Sequence, residues 1–182
     1  MKAELIKRNF EEAKACYSSL GIDVTHAIEQ LKRQSISIHC WQADDVSGFE
    51  NPDGELTGGI QATGNFPGKA RSIEELRSDL EKVLTLVPGS HRVSLHASYG
   101  DFGGNVVDRD QIEPKHFQSW IDWAKKLGVK LDFNSTFFSH PKSDSGYTLS
   151  DLDPEIRAFW KEHLRRCRRI AEEIGRQQGD PC

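Results

Sequence analysis

Apolar residues recur along this chain at two spacings, one helical and one extended, and the changes between them partition it. Ile6, Phe10, Ala13, Tyr17 and Leu20 follow at steps of four, three, four and three, striping one side of a helix over residues 3–20 that Gly21 stops. Asp23 is a cap for a second short helix running to about Gln34, with Val24, Ala27, Ile28 and Leu31 inward. The period then drops to two: Ser35 to Trp41 alternates as a strand. A long loop rich in glycine and acid follows, to Arg71, and loops of that length are usually functional. Ser72 and Glu75 form a capping box for a helix that buries Ile73, Leu76, Leu80, Val83 and Leu84 and ends at Pro88-Gly89. Arg92 to Tyr99 alternates again. Pro114 opens a helix whose face is Phe117, Trp120, Ile121, Ala124 and Leu127, closed by Gly128. A third strand spans Val129 to about Phe137, and a last helix starts at Asp153-Pro154 and stops at Gly175 or soon after.

The order is thus two helices, then strand and helix three times, which predicts an α/β protein with a parallel sheet and right-handed crossovers. Strand parity adds a constraint. Ile36, Ile38 and Cys40 oppose Ser37, His39 and Trp41; Val93, Leu95 and Ala97 oppose Ser94, His96 and Ser98; Val129, Leu131 and Phe133 oppose Lys130, Asp132 and Asn134. Each strand therefore has one apolar and one polar face. A sheet covered by helices on both faces would read apolar throughout. Helices on one face and a polar interior on the other match the wall of a parallel (β/α) TIM barrel, whose site lies at the C-terminal ends of its strands. His39, Trp41, His96, Asp132 and Asn134 fall at or near those ends. A barrel of eight units takes ~250 residues, and three strands cannot close. Residues 1–182 are accordingly expected to be the N-terminal part only of one barrel domain, the front of a longer protein.

Composition narrows the function classes. A hydrophobic content of 36% with 29% charged residues is that of a globular protein, and a net charge of −4 argues against a general polyanion binder. No window has the apolar length of a membrane span. Cys16, Cys40, Cys167 and Cys182 contain no CxxC pair, which fits reduced, cytoplasmic usage without a disulfide or zinc framework.

Longer motifs carry a resemblance. HCWQADDVSGFE (39–50) and LTGGIQATGNFPGKAR (56–71), with SLHASY (94–99), DQIEPKHFQSWIDWAKK (110–126), LDFNSTFFSHP (131–141) and DPEIRAFW (153–160), resemble L-rhamnose isomerase of the bacterial type, in order and over almost the whole chain. The resemblance implies a cytoplasmic, commonly tetrameric β/α barrel enzyme interconverting L-rhamnose and L-rhamnulose with manganese or another divalent cation. It implies that the metal ligands come from later strands, so no metal ligand is expected in this chain. His96 corresponds to a histidine that contacts the sugar and assists ring opening; Trp41 and Phe138 look like apolar pocket lining, and His39 and Asn134 are further substrate-contact candidates. Ser135, where the family often has Pro, and GDFGGN (100–105) depart from the family pattern. The chemistry is compatible, because a neutral imidazole can accept from one sugar oxygen and donate to another. The expected partner is a small sugar within a homo-oligomer, with neither nucleic acid nor membrane. Alternatively, the chain is a free-standing α/β module that binds a polyol without catalysis.

Other motifs have plainer explanations. Asp44-Asp45 is expected to be a solvated turn or a pair of salt-bridge partners rather than an acid/base pair. GGIQATGNFPGKA lacks the glycine and hydroxyl of a phosphate loop, having Thr63 and Ala70 there. A metal site from His39, His96 and Asp132 has suitable ligand types, but nothing in their spacing shows convergence. The basic residues Lys161, Arg165, Arg166, Arg168 and Arg169 lie among Glu162, Glu172 and Glu173, as on a solvated or subunit-facing surface.

Overall fold

A computed structural model describes residues 2–39, 48–50 and 70–182. Two helices, α1 (Ala3–Ser19) and α2 (Val24–Lys32), lead into strand β1 (Ser35–His39). Then come α3 (Ile73–Leu86), β2 (Ser90–His96), α4 (Gln118–Leu127), β3 (Lys130–Asn134) and α5 (Pro154–Gln178). The strands form one parallel sheet in the order β1-β2-β3, with β2 in the centre. This α/β order is the one the hydrophobic pattern predicts.

The register puts side chains where parity placed them. Ser37, Arg92 and Lys130 form one row, His39, Ser94 and Asp132 the next, and His96 stands beside Asn134. On the opposite face Val93, Leu95 and Leu131 are buried in a core with Leu76 and Leu80 of α3, Trp120 and Ile121 of α4, and Cys167, Ile170 and Ile174 of α5. Each such large apolar side chain contributes roughly 1.5–3 kcal/mol on burial. Helices therefore cover the apolar face. Trp120, fully buried, donates its indole N–H to the Tyr99 carbonyl at 2.8 Å, which binds α4 to the end of β2.

Several boundaries differ from the sequence reading, each for a local reason. β1 is described only to His39, so its predicted end, with Trp41, lies outside the described residues. β2 ends at His96 because Ala97–Tyr99 turns into a 3-10 helix. β3 ends at Asn134 rather than near Phe137, since Thr136 and Ser139 take positive φ of 50° and 53°. Pro114–Phe117 is a 3-10 turn ahead of α4, not its first turn. Ser72 caps α3 through the Glu75 N–H, but Glu75 bonds the N–H of Arg71, so the box is offset by one residue. α5 runs through Gly175 and stops at Gly179, whose φ of 65° makes the left-handed turn. Gly175 instead admits the tail, since a Cβ there would sit 3.2 Å from the Asp180 carbonyl oxygen.

Neither α1 nor α2 buries a residue; Ile6, Phe10, Tyr17 and Leu31 remain exposed along the predicted stripe. The tail past α5 returns to the sheet. Gln178 accepts the Leu131 N–H at 2.8 Å and donates to the Leu131 carbonyl at 3.0 Å. Arg92 donates to Asp132 (2.8 Å), Asp180 (2.7 Å) and the Pro181 carbonyl (2.8 Å), and Lys130 also reaches Asp180.

Candidate functional site

The C-terminal ends of β2 and β3 bring His96, Asn134 and Phe138 together. His96 is the last residue of the central strand and is only 4% exposed. Its ring lies edge-on to Tyr99 and to Phe138, with centroids at 5.3 and 6.0 Å. Asn134 is its register partner on β3, and the Asn134 side-chain oxygen accepts the Thr136 N–H at 2.8 Å. His39, exposed on β1, stands one row back on the same face. Trp41 lies outside the described residues, as do Asp44, Asp45 and the glycine loop up to Lys69.

Burial disfavours the charged form of His96, and the nearby His39 and Arg109 add to this. Its pKa falls from 6.5 to about 4. The imidazole is therefore neutral at pH 7, with one nitrogen able to donate and the other to accept.

Sequence reasoning missed the residue that holds this end together. Arg109, in the loop before α4, is 1% exposed and uses its whole guanidinium fork. Its Nε and Nη2 reach the Glu50 carboxylate, with Nε–O distances of 3.0 and 3.1 Å. Its Nη1 donates to the carbonyls of Thr136 (2.8 Å) and Phe138 (2.6 Å), and Nη2 donates to that of Ser139 (3.2 Å). Five N–H donors meet one carboxylate and three carbonyls, a match that only a planar guanidinium provides. The Arg109 carbonyl in turn faces Nδ1 of buried His163 on α5 at 3.0 Å, while Nε2 of that ring meets the Ser135 carbonyl. Glu50, Arg109, Thr136 and His163 thus tie the long loop, the β3 loop and α5 to one another. Nothing in the run VVDRDQ around Arg109 marks it out, because an arginine among aspartates reads as surface.

Two apparent sites dissolve on inspection. Cys167 lies 3.5 Å from Nε2 of His163, the layout of a nucleophilic pair. Burial pushes its thiol up to about 12, so no thiolate forms near neutral pH and the sulfur is packing. Asp132 shares a face with His39 and His96, but Arg92 engages its carboxylate. Among the described residues, no group of three His, Cys, Asp or Glu side chains is arranged to hold a metal ion. The basic residues of α5 are partly neutralised, with Arg165 and Arg166 paired to Glu162. No helix is long and apolar enough to cross a membrane among the described residues.

A strand-end histidine beside an aromatic ring recurs on many α/β scaffolds, and geometry alone does not choose among them. Comparison with known proteins does. The model of the family described as RhaA, L-rhamnose isomerase, matches residues 4–182. The chain belongs to the L-rhamnose isomerase family. It is 56% identical over 181 residues to the L-rhamnose isomerase of Bacteroides thetaiotaomicron, covering 100% of this chain and 43% of that protein. Against the L-rhamnose isomerase of Rhodopirellula baltica it is 51% identical, over 100% of this chain and 42% of the relative. Against that of Listeria monocytogenes it is 52% identical, over 96% and 41% respectively. The chain therefore spans less than half the length of these curated relatives.

Proposed function

We propose that this chain supplies the sugar-facing wall of an aldose–ketose isomerase site that interconverts L-rhamnose and L-rhamnulose. The observation that carries this reading is the position of His96. A neutral, nearly buried imidazole closes the central strand, at the strand end where parallel β/α folds place their chemistry, in a chain of the L-rhamnose isomerase family. In this reading His96 contacts the sugar and assists ring opening. Phe138 and Trp41 pack against the apolar side of the ring, and Asn134 and His39 contribute polar contacts. The one-sided helix layer supports a (β/α)8 barrel, of which residues 1–182 form the first part, and the family reading extends to a cytoplasmic homotetramer.

A divalent cation such as manganese belongs to the same reading, but the described residues do not fit it. Glu50 is committed to Arg109 and Asp132 to Arg92, so two carboxylates near the histidines are already neutralised by guanidinium groups. The ligands are assigned to the length of the relatives that this chain does not span. No step by the residues described here passes through the ion.

Calorimetry and a ketose assay on the purified 182-residue chain test this reading. We expect L-rhamnose to perturb His96, with no turnover and no tight manganese binding. Turnover by a sample free of host isomerase would overturn the division of labour. Binding of the sugar by a His96→Ala variant as tightly as by the parent chain would remove His96 from the site.

A further inference from the structure

We infer that Thr136 is a positioning residue that fixes the tautomer of His96, protonating Nδ1 and leaving Nε2 as a hydrogen-bond acceptor toward a sugar hydroxyl. The assignment follows from counting protons around one hydroxyl. Among the described residues, three partners surround the Thr136 Oγ1: the Ala97 N–H at 3.1 Å, the Asn134 carbonyl at 3.1 Å and Nδ1 of His96 at 3.0 Å. The amide can only donate and the carbonyl can only accept; the imidazole nitrogen can do either. A threonine hydroxyl has one proton to give. If it went to His96, two oxygens would face each other lone pair to lone pair at 3.1 Å in a part-buried contact. Given to Asn134, it leaves Oγ1 to accept from Ala97 and from Nδ1–H, and all three contacts are satisfied.

The backbone supplies a second, independent argument. Thr136 has φ of 50°, in the left-handed region that β-branched residues avoid, where Gly or Asn would be comfortable. Such conformations persist where surrounding contacts over-determine them, and they concentrate at functional sites. Here the Thr136 N–H is taken by Asn134, its carbonyl by Arg109 and its hydroxyl by the group just described. Threonine carries a methyl and a hydroxyl that glycine lacks, and the hydroxyl oxygen lies 3.0 Å from the imidazole Nδ1. Thr136 is 2% exposed, so water does not compete for that contact. The lowered pKa of His96 agrees, since a neutral ring is the state in which a tautomer has meaning.

The consequence is directional. With Nδ1 engaged by threonine, His96 meets a substrate through Nε2, and it does so by receiving a proton rather than offering one. This deepens the sugar-contact reading of His96 and rests on it, whereas the tautomer itself does not require a sugar.

The test is nitrogen-15 NMR of the imidazoles in the 182-residue chain at neutral pH, with His96 assigned by its loss in His96→Gln. The expected pattern is a single tautomer, with Nδ1 at the protonated shift and Nε2 at the unprotonated one. Thr136→Ala should collapse the separation between the two shifts toward an averaged position, and Thr136→Ser should restore it. A parent spectrum with Nε2 protonated overturns the proposal before any variant is made. An unchanged pattern in Thr136→Ala, or no restoration by Ser, does so as well. Titration with L-rhamnose separates the two ideas: no response at His96, with the tautomer pattern intact, removes the sugar reading and leaves the Thr136 assignment standing.

Discussion

Each end of the three-stranded sheet is secured by an arginine, and the two are buried to different degrees for different purposes. At the C-terminal end, Arg109 is 1% exposed and spends its five donors on Glu50 and the carbonyls of the loop that carries Thr136 and Phe138. Near the N-terminal end, Arg92 has a 15% exposed side chain and binds Asp132, Asp180 and the tail beyond α5. The first shapes a loop around a neutral histidine. The second fastens a chain segment to a strand. Burial decides the difference: a dry guanidinium must find a partner for every N–H and so dictates the backbone around it, while a wetter one can share with solvent.

Breaking the drier hub should have the largest effect. Arg109→Met leaves Glu50 without its counter-charge and three carbonyls without donors, and is expected to cost about 3–5 kcal/mol by urea unfolding. The same variant should also disturb the His96 resonances. Next comes acid. His96 has a folded pKa of about 4 against 6.5 unfolded, so between those values the unfolded chain binds more protons. Its contribution is fully present above pH 6.5 and fades as the pH falls toward 4, by at most about 3 kcal/mol. His96→Gln should flatten that part of a stability–pH curve, and a curve equally steep in the variant would contradict the assignment. Arg92→Met is expected to cost about 1–2 kcal/mol and to leave the His96 spectrum unmoved. A shift at His96 comparable to that from Arg109→Met would erase the contrast between the hubs. Smallest is Gly179→Ala, where φ is 65° and a Cβ would meet no atom within 4 Å. It should cost about 1 kcal/mol in backbone strain alone and loosen only the tail.

Periodicity made the elements legible because it reports which face of each must be dry, and that does not depend on the rest of the chain. The one-faced sheet followed from the same logic, and Ser37, His39, Ser94, His96, Asp132 and Asn134 occupy the side that their alternation assigned. The family resemblance names His96 as a sugar contact and Phe138 as pocket lining, without setting them side by side, and the structure puts their rings 6.0 Å apart. Arg109 and Thr136 were not legible. Their roles arise from the loops after the strands, where no period operates; the partners of Arg109 lie 27 to 59 positions away in the chain, and His96 lies 40 from Thr136. Asp132 shows the same limit: its parity places it on the polar face, but its commitment to Arg92 is a long-range pairing that alternation cannot express. The stripe on α1 shows the reverse limit, since an amphipathic pattern announces a face without naming what covers it.

The side-chain amide of Gln178 copies a peptide group. By pairing with both the N–H and the carbonyl of Leu131, it occupies one rung of the ladder that β3 would otherwise present to an intruding strand. Within the 182-residue chain a helix terminus thereby stands in for a neighbouring strand at that rung, on the very edge where the proposed barrel pairs its next strand, so Gln178 has to yield its place there when such a strand docks.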